Sequence, residues 1–306
     1  MTPEKGDKIL GFGGTLMSFK IFTDAAADLP LELAVELDIM VAPMGVTVGD
    51  ATFTHDPYER EMSISEFYSH IRAGESATTA AVSPADWMGI IEPELQAGND
   101  ALVLAFSSAL SATSNNAKVV VEELSEKYPD RKLYAVDTLC ASVGEALLVR
   151  LAAVKRDEGA SIEEVYEYVE REKLHICHWV LVDDLSHVRR GGRISATSAV
   201  VGTMLGIKPI IHMNDKGELV TVGKVRGRKN AINELIKHME TTGVNLKDQT
   251  IMIGDADCRE ETIEMARIIK EKFGVREVIL GWIGIVIGAH IGPGTIALFY
   301  SGTTRN

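Results

Sequence analysis

The sequence predicts an α/β protein of two units: an N-terminal parallel sheet layered between helices, and a C-terminal α/β unit with a mixed sheet. Three observations carry this reading. Short apolar runs at Phe19–Phe22, Met40–Val48, Ala101–Phe106 and Leu133–Val136 alternate with helical stretches, and continuous rather than alternating apolarity marks strands buried on both faces. Gly159-Ala160-Ser161 interrupts that rhythm and opens a new helix, placing a boundary near residue 160. The 306 residues exceed what one typical core requires and suffice for two. The expected organisation is a leader over 1–18, an N-terminal unit over 19–160 and a C-terminal unit over 161–306.

Residues 1–18 mix Pro, Lys and glycines without periodicity, so the leader is expected to lack order and Met17 to approximate the natural start. After the first strand, Thr23–Pro30 turns into a short helix, Leu31–Leu37, and Met40–Val48 resumes as strand. A helix over Ser63–Ala73 has Ser63 and Ser65 as candidate caps. It leads into a hydroxyl-bearing loop, Gly74–Pro84, ahead of a helix over Ala85–Leu95. The strand Ala101–Phe106, a helix from Ala117, the strand Leu133–Val136 and the long helix Ala141–Asp157 complete the first unit.

In the second unit the pattern predicts a helix over Ile162–Lys173, a strand over Cys177–Val182 and a helix over Ser195–Leu205. Strands Ile207–Met213 and Leu219–Val225 flank Asn214-Asp215-Lys216-Gly217, a good hairpin connector. A helix follows over Lys229–Thr242, then strand Thr250–Gly254, helix Glu260–Phe273 and strands Glu277–Gly281 and Thr295–Tyr300. Ile279–Tyr300 is the nearest approach to a membrane span, but it holds five glycines, Pro293 and His290, and reads as two strands joined by a glycine-rich loop.

Composition narrows the function classes. A formal charge of −13 repels nucleic-acid phosphates and anionic lipid, so neither nucleic-acid binding nor stable membrane insertion is expected. The three cysteines, Cys140, Cys177 and Cys258, are odd in number and far apart, which suits a reducing cytoplasm. His175-Ile176-Cys177-His178 resembles a metal cluster but lies in an apolar strand without a second ligand pair, so no metal is expected. Walker, Gly-x-Gly-x-x-Gly and Gly-x-Ser-x-Gly motifs do not occur. Asp24 and Asp28 have the spacing of paired acids, although Asp28 before Leu-Pro reads better as a turn cap.

Four stretches carry chemistry. Phe106–Ala117 puts five hydroxyls, on Ser107, Ser108, Ser111, Thr113 and Ser114, where a strand hands over to a helix, beyond what one cap requires. Val188–Ser195 places Arg193 directly after paired glycines, where a guanidinium fork can meet a carboxylate or phosphate. Gly288–Thr295 holds His290 before a Gly-Pro-Gly turn. Lys224–Lys229 forms a basic patch around Arg226. Two hydroxyl loops, one Arg and one His make a carboxylate holder with no evident nucleophile–base pair.

These blocks resemble the DegV-type fatty-acid-binding proteins: Ile21-Phe22-Thr23-Asp24 with Asp28-Leu29-Pro30, Ser107–Thr113, Val136-Asp137-Thr138, Arg190–Ser195, Ile207–Ile210, Lys224–Lys229 and His290–Gly294. The resemblance covers Met17 to Tyr300. It implies a cytoplasmic bacterial carrier that binds a long-chain fatty acid and presents it to a separate ATP-dependent fatty acid kinase, with no cofactor and no catalysis of its own. It implies that Thr79 and Ser111 hydrogen-bond the carboxylate, that Arg193 and His290 surround it, and that Arg226 docks the kinase. The acyl tail would lie in a tunnel of the first unit, each buried methylene contributing roughly 0.8 kcal/mol. The chain departs from the family pattern at Ala25, at Ala112 and across Thr78–Pro84, where Thr78 is the other candidate for the Thr79 role.

Two other readings make different demands. A small-substrate enzyme similar to dihydroxyacetone kinases would use Thr23, Asp24 and His290 in a small polar pocket. A regulatory partner-binding protein would act through the patch at Arg226.

Overall fold

The computed structural model describes residues 19–194 and 206–305. The expected leader and the helix expected over Ser195–Leu205 lie outside the described residues.

The first sheet has the order β2-β1-β6-β7, formed by Ile39–Ala42, Phe19–Asp24, Asp100–Ala105 and Leu133–Asp137, and all its pairings are parallel. β6 is buried along its whole length, as its unbroken apolar sequence requires. Helices α3 (Pro84–Gln96) and α4 (Thr113–Lys127) pack together against β6, while α5 (Val143–Asp157) and α6 (Ile162–Glu172) pack together from β1 to β7. Both α3 and α6 start at capping boxes, Ser83 with Asp86 and Ser161 with Glu164.

The run Met40–Val48 is two strands rather than one. Pro43 has no N–H for the ladder, so β2 ends at Ala42 and β3 (Met44–Val48) starts a separate antiparallel sheet of order β4-β3-β5. Its partners are β4 (Ala51–His55) and β5 (Ala77–Thr79), the latter inside the stretch expected to be a hydroxyl-bearing loop. Two short helices, α1 (Leu31–Glu36) and α2 (Ile64–Arg72), complete this part. α2 begins at Ser63, whose side chain accepts from the Glu66 N–H, and buries Phe67, Tyr68 and Ile71.

The second sheet has the order β10-β9-β8-β13-β11-β12, formed by Leu219–Arg226, Ile207–Met213, Ile176–Leu181, Ile296–Ser301, Thr250–Asp255 and Glu277–Trp282. All its pairings are antiparallel except β11 with β12. The alternation within β13 divides its faces. Ile296, Leu298 and Tyr300 join a core with α8 (Arg228–Thr242) and α9 (Arg259–Phe273), whereas Ala297 and Phe299 join the core of the first unit. Helix α5 is the shared layer, reaching β1 on one side and β8, β11 and β13 on the other. Cys177 and His178 are buried strand residues of β8, with His178 accepting from the Ala141 N–H at 3.2 Å.

A further expectation is overturned near the end of the described residues. The sequence suggests a loop between two strands over Gly288–Thr295, yet Ile285–Ile291 forms a helix, α10, between β12 and β13. Its Ile- and Val-rich sequence suits a strand by propensity, but its residues are buried against α2, β5 and α7 (Leu185–Arg190), and that packing decides. The helix ends at Gly292, which takes a φ of 75°.

Candidate functional site

Buried acids fix the hydroxyl loop after β6. Asp24, at the end of β1, accepts from the Ala26 N–H at 3.0 Å and from the Phe106 N–H at 2.9 Å, tying the carboxyl ends of adjacent strands together. Burial raises its pKa to about 6. Asp28, in a left-handed conformation with φ of 50°, accepts from the Ser142 hydroxyl, and burial raises it to about 8. Glu145 of α5 accepts from Thr23 at 3.1 Å and is also shifted upward by burial. Asp28 is the C-cap of the turn Ala25–Ala27, and its carboxyl in addition binds α5 to that turn.

The hydroxyls of the loop divide their work. Helix α4 is entered through Ala112, which has no side-chain cap to give, and Ser111 Oγ instead accepts from the Thr113 N–H at 3.3 Å. Ser107 Oγ donates to the Gly217 carbonyl at 3.0 Å, holding the tip of the β9–β10 hairpin. Ser111 Oγ lies 2.9 Å from Thr113 Oγ1, which in turn accepts from the Val82 N–H at 3.3 Å. The segment leading out of β5 is thereby registered against Ser111.

Thr79 is placed by pairing with Val46 of β3, and its hydroxyl lies 2.8 Å from His290 Nε2. His290 is in the last turn of α10, and its Nδ1 is buried without a hydrogen-bond partner among the described residues. Burial, followed by the charge of Arg193, lowers the imidazole to about 4, so the ring is neutral near pH 7. The backbone at Gly191 passes so close that a Cβ there would lie 2.6 Å from Nδ1. Arg193 Nε donates to the Leu110 carbonyl at 3.3 Å, and its Nη1 donates to the Gly191 carbonyl.

Thr79, Ser111, Arg193 and His290 all line one cavity of about 260 Å³, whose other walls include Met44, Phe106, Leu110, Leu219, Val286 and Ile287. The acyl tunnel is expected inside the first unit, whereas this cavity also takes walls from Leu219 of β10 and from α10. Thr78 is exposed and does not line it, which favours Thr79 for the hydroxyl role. Arg226 is elsewhere, exposed at the end of the edge strand β10. Of its basic neighbours, Arg228 is engaged by Asp183 and Glu261 at 2.7 and 2.6 Å, while Lys224 and Lys229 are exposed. Sequence reasoning singles out Asp24 and Asp28 but misses their burial, Glu145 and the part played by Leu219, since these depend on contacts between distant segments.

By fold and site, this is an α/β protein of three sheets with an apolar cavity whose lining also carries hydroxyls, a guanidinium and an imidazole. Residues 18–303 match the profile of the DegV family, described as an uncharacterised protein family, and the chain belongs to that family. It is 41% identical over 290 residues to a DegV domain-containing protein of Clostridium perfringens, covering 95% of this chain and 99% of the relative. Among solved structures it resembles a DegV family protein from Thermus thermophilus described for fatty acid binding, with a TM-score of 0.84 and 28% identity over 93% of this chain and 100% of that one. It also resembles DegV, a fatty acid binding protein from Bacillus subtilis, with a TM-score of 0.82 and 25% identity over 94% and 100% of the two chains.

Proposed function

We propose that this protein is a cytoplasmic carrier, without catalysis of its own, that binds a long-chain fatty acid by its carboxylate and presents it to a separate ATP-dependent fatty acid kinase. The observation that carries the reading is the convergence of Thr79, Ser111, Arg193 and His290 on one apolar cavity. Hydroxyls and a guanidinium suit a carboxylate, and the neutral imidazole can donate one further hydrogen bond. The Ile, Leu, Val, Met and Phe walls suit an acyl chain, and each buried methylene contributes roughly 0.8 kcal/mol. They offer few partners to the hydroxyls of a small sugar-like ketone, which disfavours the enzyme reading. The reading calls for no cofactor.

In the kinase step a carboxylate oxygen forms a bond to the γ-phosphorus of ATP as the bond from that phosphorus to the β,γ-bridging oxygen breaks, giving acyl phosphate and ADP. The exposed face of β10, with Val222, Lys224 and Arg226, is the docking surface this reading assigns to the kinase. The test is mass spectrometry of an organic extract from the purified protein beside a Ser111→Ala, Arg193→Ala double variant. A stoichiometric long-chain fatty acid that is depleted in the variant supports the carrier. An empty extract that stays empty after incubation with fatty acids overturns it.

A further inference from the structure

A groove runs along the free edge of the first sheet. β2 pairs with β1 on one side and with no described strand on the other. Beside it lie two hollows of about 490 and 600 Å³, which share Leu31, Val41, Pro57 and Tyr58 and so form one channel between α1 and the segment Asp56–Arg60. None of their lining residues belongs to the cavity that holds Thr79 and His290.

The channel concentrates apolar surface. Six large apolar side chains are exposed among the described residues, and three of them, Val35, Tyr58 and Trp282, line it. Single exposed apolar residues are ordinary, whereas a series of them beside an unpaired strand marks a contact surface. Arginines hold the two aromatic rings in place: Arg60 lies 4.4 Å from the centre of the Tyr58 ring, and Arg259 lies 4.1 Å from that of Trp282. Each guanidinium is balanced by an acid, Arg60 by Asp56 at 2.9 Å and Arg259 by Asp255 at 3.0 Å. Trp, Tyr and Arg are the residue types that carry most contact energy at protein interfaces.

Charge selects the partner. Glu32 and Glu59 line the channel, and neither is in an ion pair among the described residues. A second copy of this chain, of net charge −13, would set the same carboxylates against each other across a two-fold axis. A cationic segment would neutralise them.

We propose that this channel binds an extended apolar segment of another protein that carries lysine or arginine, added to β2 as a further strand. Its apolar side chains pack on Val35, Tyr58 and Trp282, its cations meet Glu32 and Glu59, and its backbone pairs with the free edge of β2. The surface is separate from the edge of β10, and the inference does not depend on what the cavity binds.

The experiment titrates three fluorescein-labelled octapeptides, repeats of Lys-Val, Glu-Val and Lys-Pro, against the full chain and follows anisotropy. The Lys-Pro peptide keeps the charge and extended length of the Lys-Val peptide, but its prolines lack the N–H groups of a paired strand. The unaltered protein is compared with Tyr58→Ala, with the double variant Glu32→Gln, Glu59→Gln, and with the double variant Glu122→Gln, Glu126→Gln, which removes the same charge from exposed positions on α4. Thermal melts confirm that each variant is folded. The Lys-Val peptide is expected to bind at least tenfold more tightly than the other two. Its affinity is expected to fall at least tenfold in Tyr58→Ala and at least threefold in the Glu32, Glu59 variant, and to change less than twofold in the Glu122, Glu126 variant. Lys-Pro binding as tightly as Lys-Val would overturn strand addition. Equal losses in the two double variants would reduce the effect to general attraction by an acidic chain and overturn the site, as would failure of the Lys-Val peptide to bind. Sedimentation of the protein alone supplies the last outcome: a dimer that Tyr58→Ala dissolves would assign the groove to a second copy and overturn the proposal.

Discussion

The hydroxyl of Thr79, at the end of β5, lies 2.8 Å from Nε2 of His290, in the last turn of α10, across a sequence separation of 211 residues. The two side chains form the wall between an apolar cavity and a polar pocket, so removing either hydrogen-bonding partner should affect the head-group end of the ligand. Thr79→Val keeps the shape of the side chain and deletes the hydroxyl. Affinity for hexadecanoate should fall about tenfold, close to 1.4 kcal/mol, as for loss of one hydrogen bond to a charged group. Titration calorimetry on Thr79→Val and Thr78→Val together decides the register, and a loss confined to Thr78→Val would reassign the role.

Gly191 is the second point of control over His290. A methyl group there would sit 2.6 Å from Nδ1 and 3.2 Å from both Cβ and Cγ of that ring. Either the imidazole turns away or the segment carrying Arg193 moves, and both disturb the site. Gly191→Ala should lower stability by about 1–3 kcal/mol, as overpacking does elsewhere, and weaken hexadecanoate by more than Thr79→Val does. Denaturant midpoints and binding titrations measure the two effects separately.

The buried acids predict an unusual pH dependence. Asp28 is held at about 8 against an ordinary 3.8, so the folded chain keeps a proton that the unfolded chain has released. Its contribution to stability is complete below the unfolded value and is lost as pH rises through the folded one. His290 and His55, both lowered from 6.5 to about 4, act in the opposite sense: their contributions are complete above 6.5 and are lost as pH falls. Between pH 6.5 and 8 the histidine slope fades as the unfolded imidazoles lose their protons, and the carboxyl slope remains. Stability should therefore fall by up to about 2 kcal/mol across that interval, and Asp28→Asn should remove much of the fall, Glu145 leaving a residue of it. Urea unfolding of both proteins at pH 6.5 and 8 checks this, and an equal slope in the two would assign the effect elsewhere.

Arg226 lies on the exposed face of the edge strand β10, outside both pockets. Arg226→Glu should leave the affinity for hexadecanoate within twofold of the unaltered protein. In a coupled assay with a fatty acid kinase it should raise the carrier concentration needed for half-maximal ATP consumption about tenfold or more, since reversing a charge replaces attraction with repulsion.

Much of this molecule is legible in the order of its residues. Runs such as Ala101–Phe106 declare strands buried on both faces, and Ser83 and Ser161 announce helices through local capping chemistry. The sequence, with the family resemblance, also singles out the four polar residues that line the cavity. It conceals what depends on distant partners. The stretch Ile285–Ile291 falls where the sequence suggests a glycine-rich loop between two strands, and becomes a helix because three other elements surround it. The strand β5 is three residues long, too short to show alternation, and takes its conformation from pairing with β3. The cavity itself is bounded by residues from Met44 to Ile291, a set that no local pattern could assemble.

The position of β13 bears on how the molecule is made. Among the described strands it is the last in the chain, yet it lies between β8 and β11 and alone joins β10-β9-β8 to β11-β12. A ribosome must therefore release the chain through Ser301 before the second sheet can close. Until β13 follows, the facing edges of β8 and β11 have no strand between them, and the nascent chain depends on prompt synthesis of that strand, or on a chaperone, to avoid pairing with another copy.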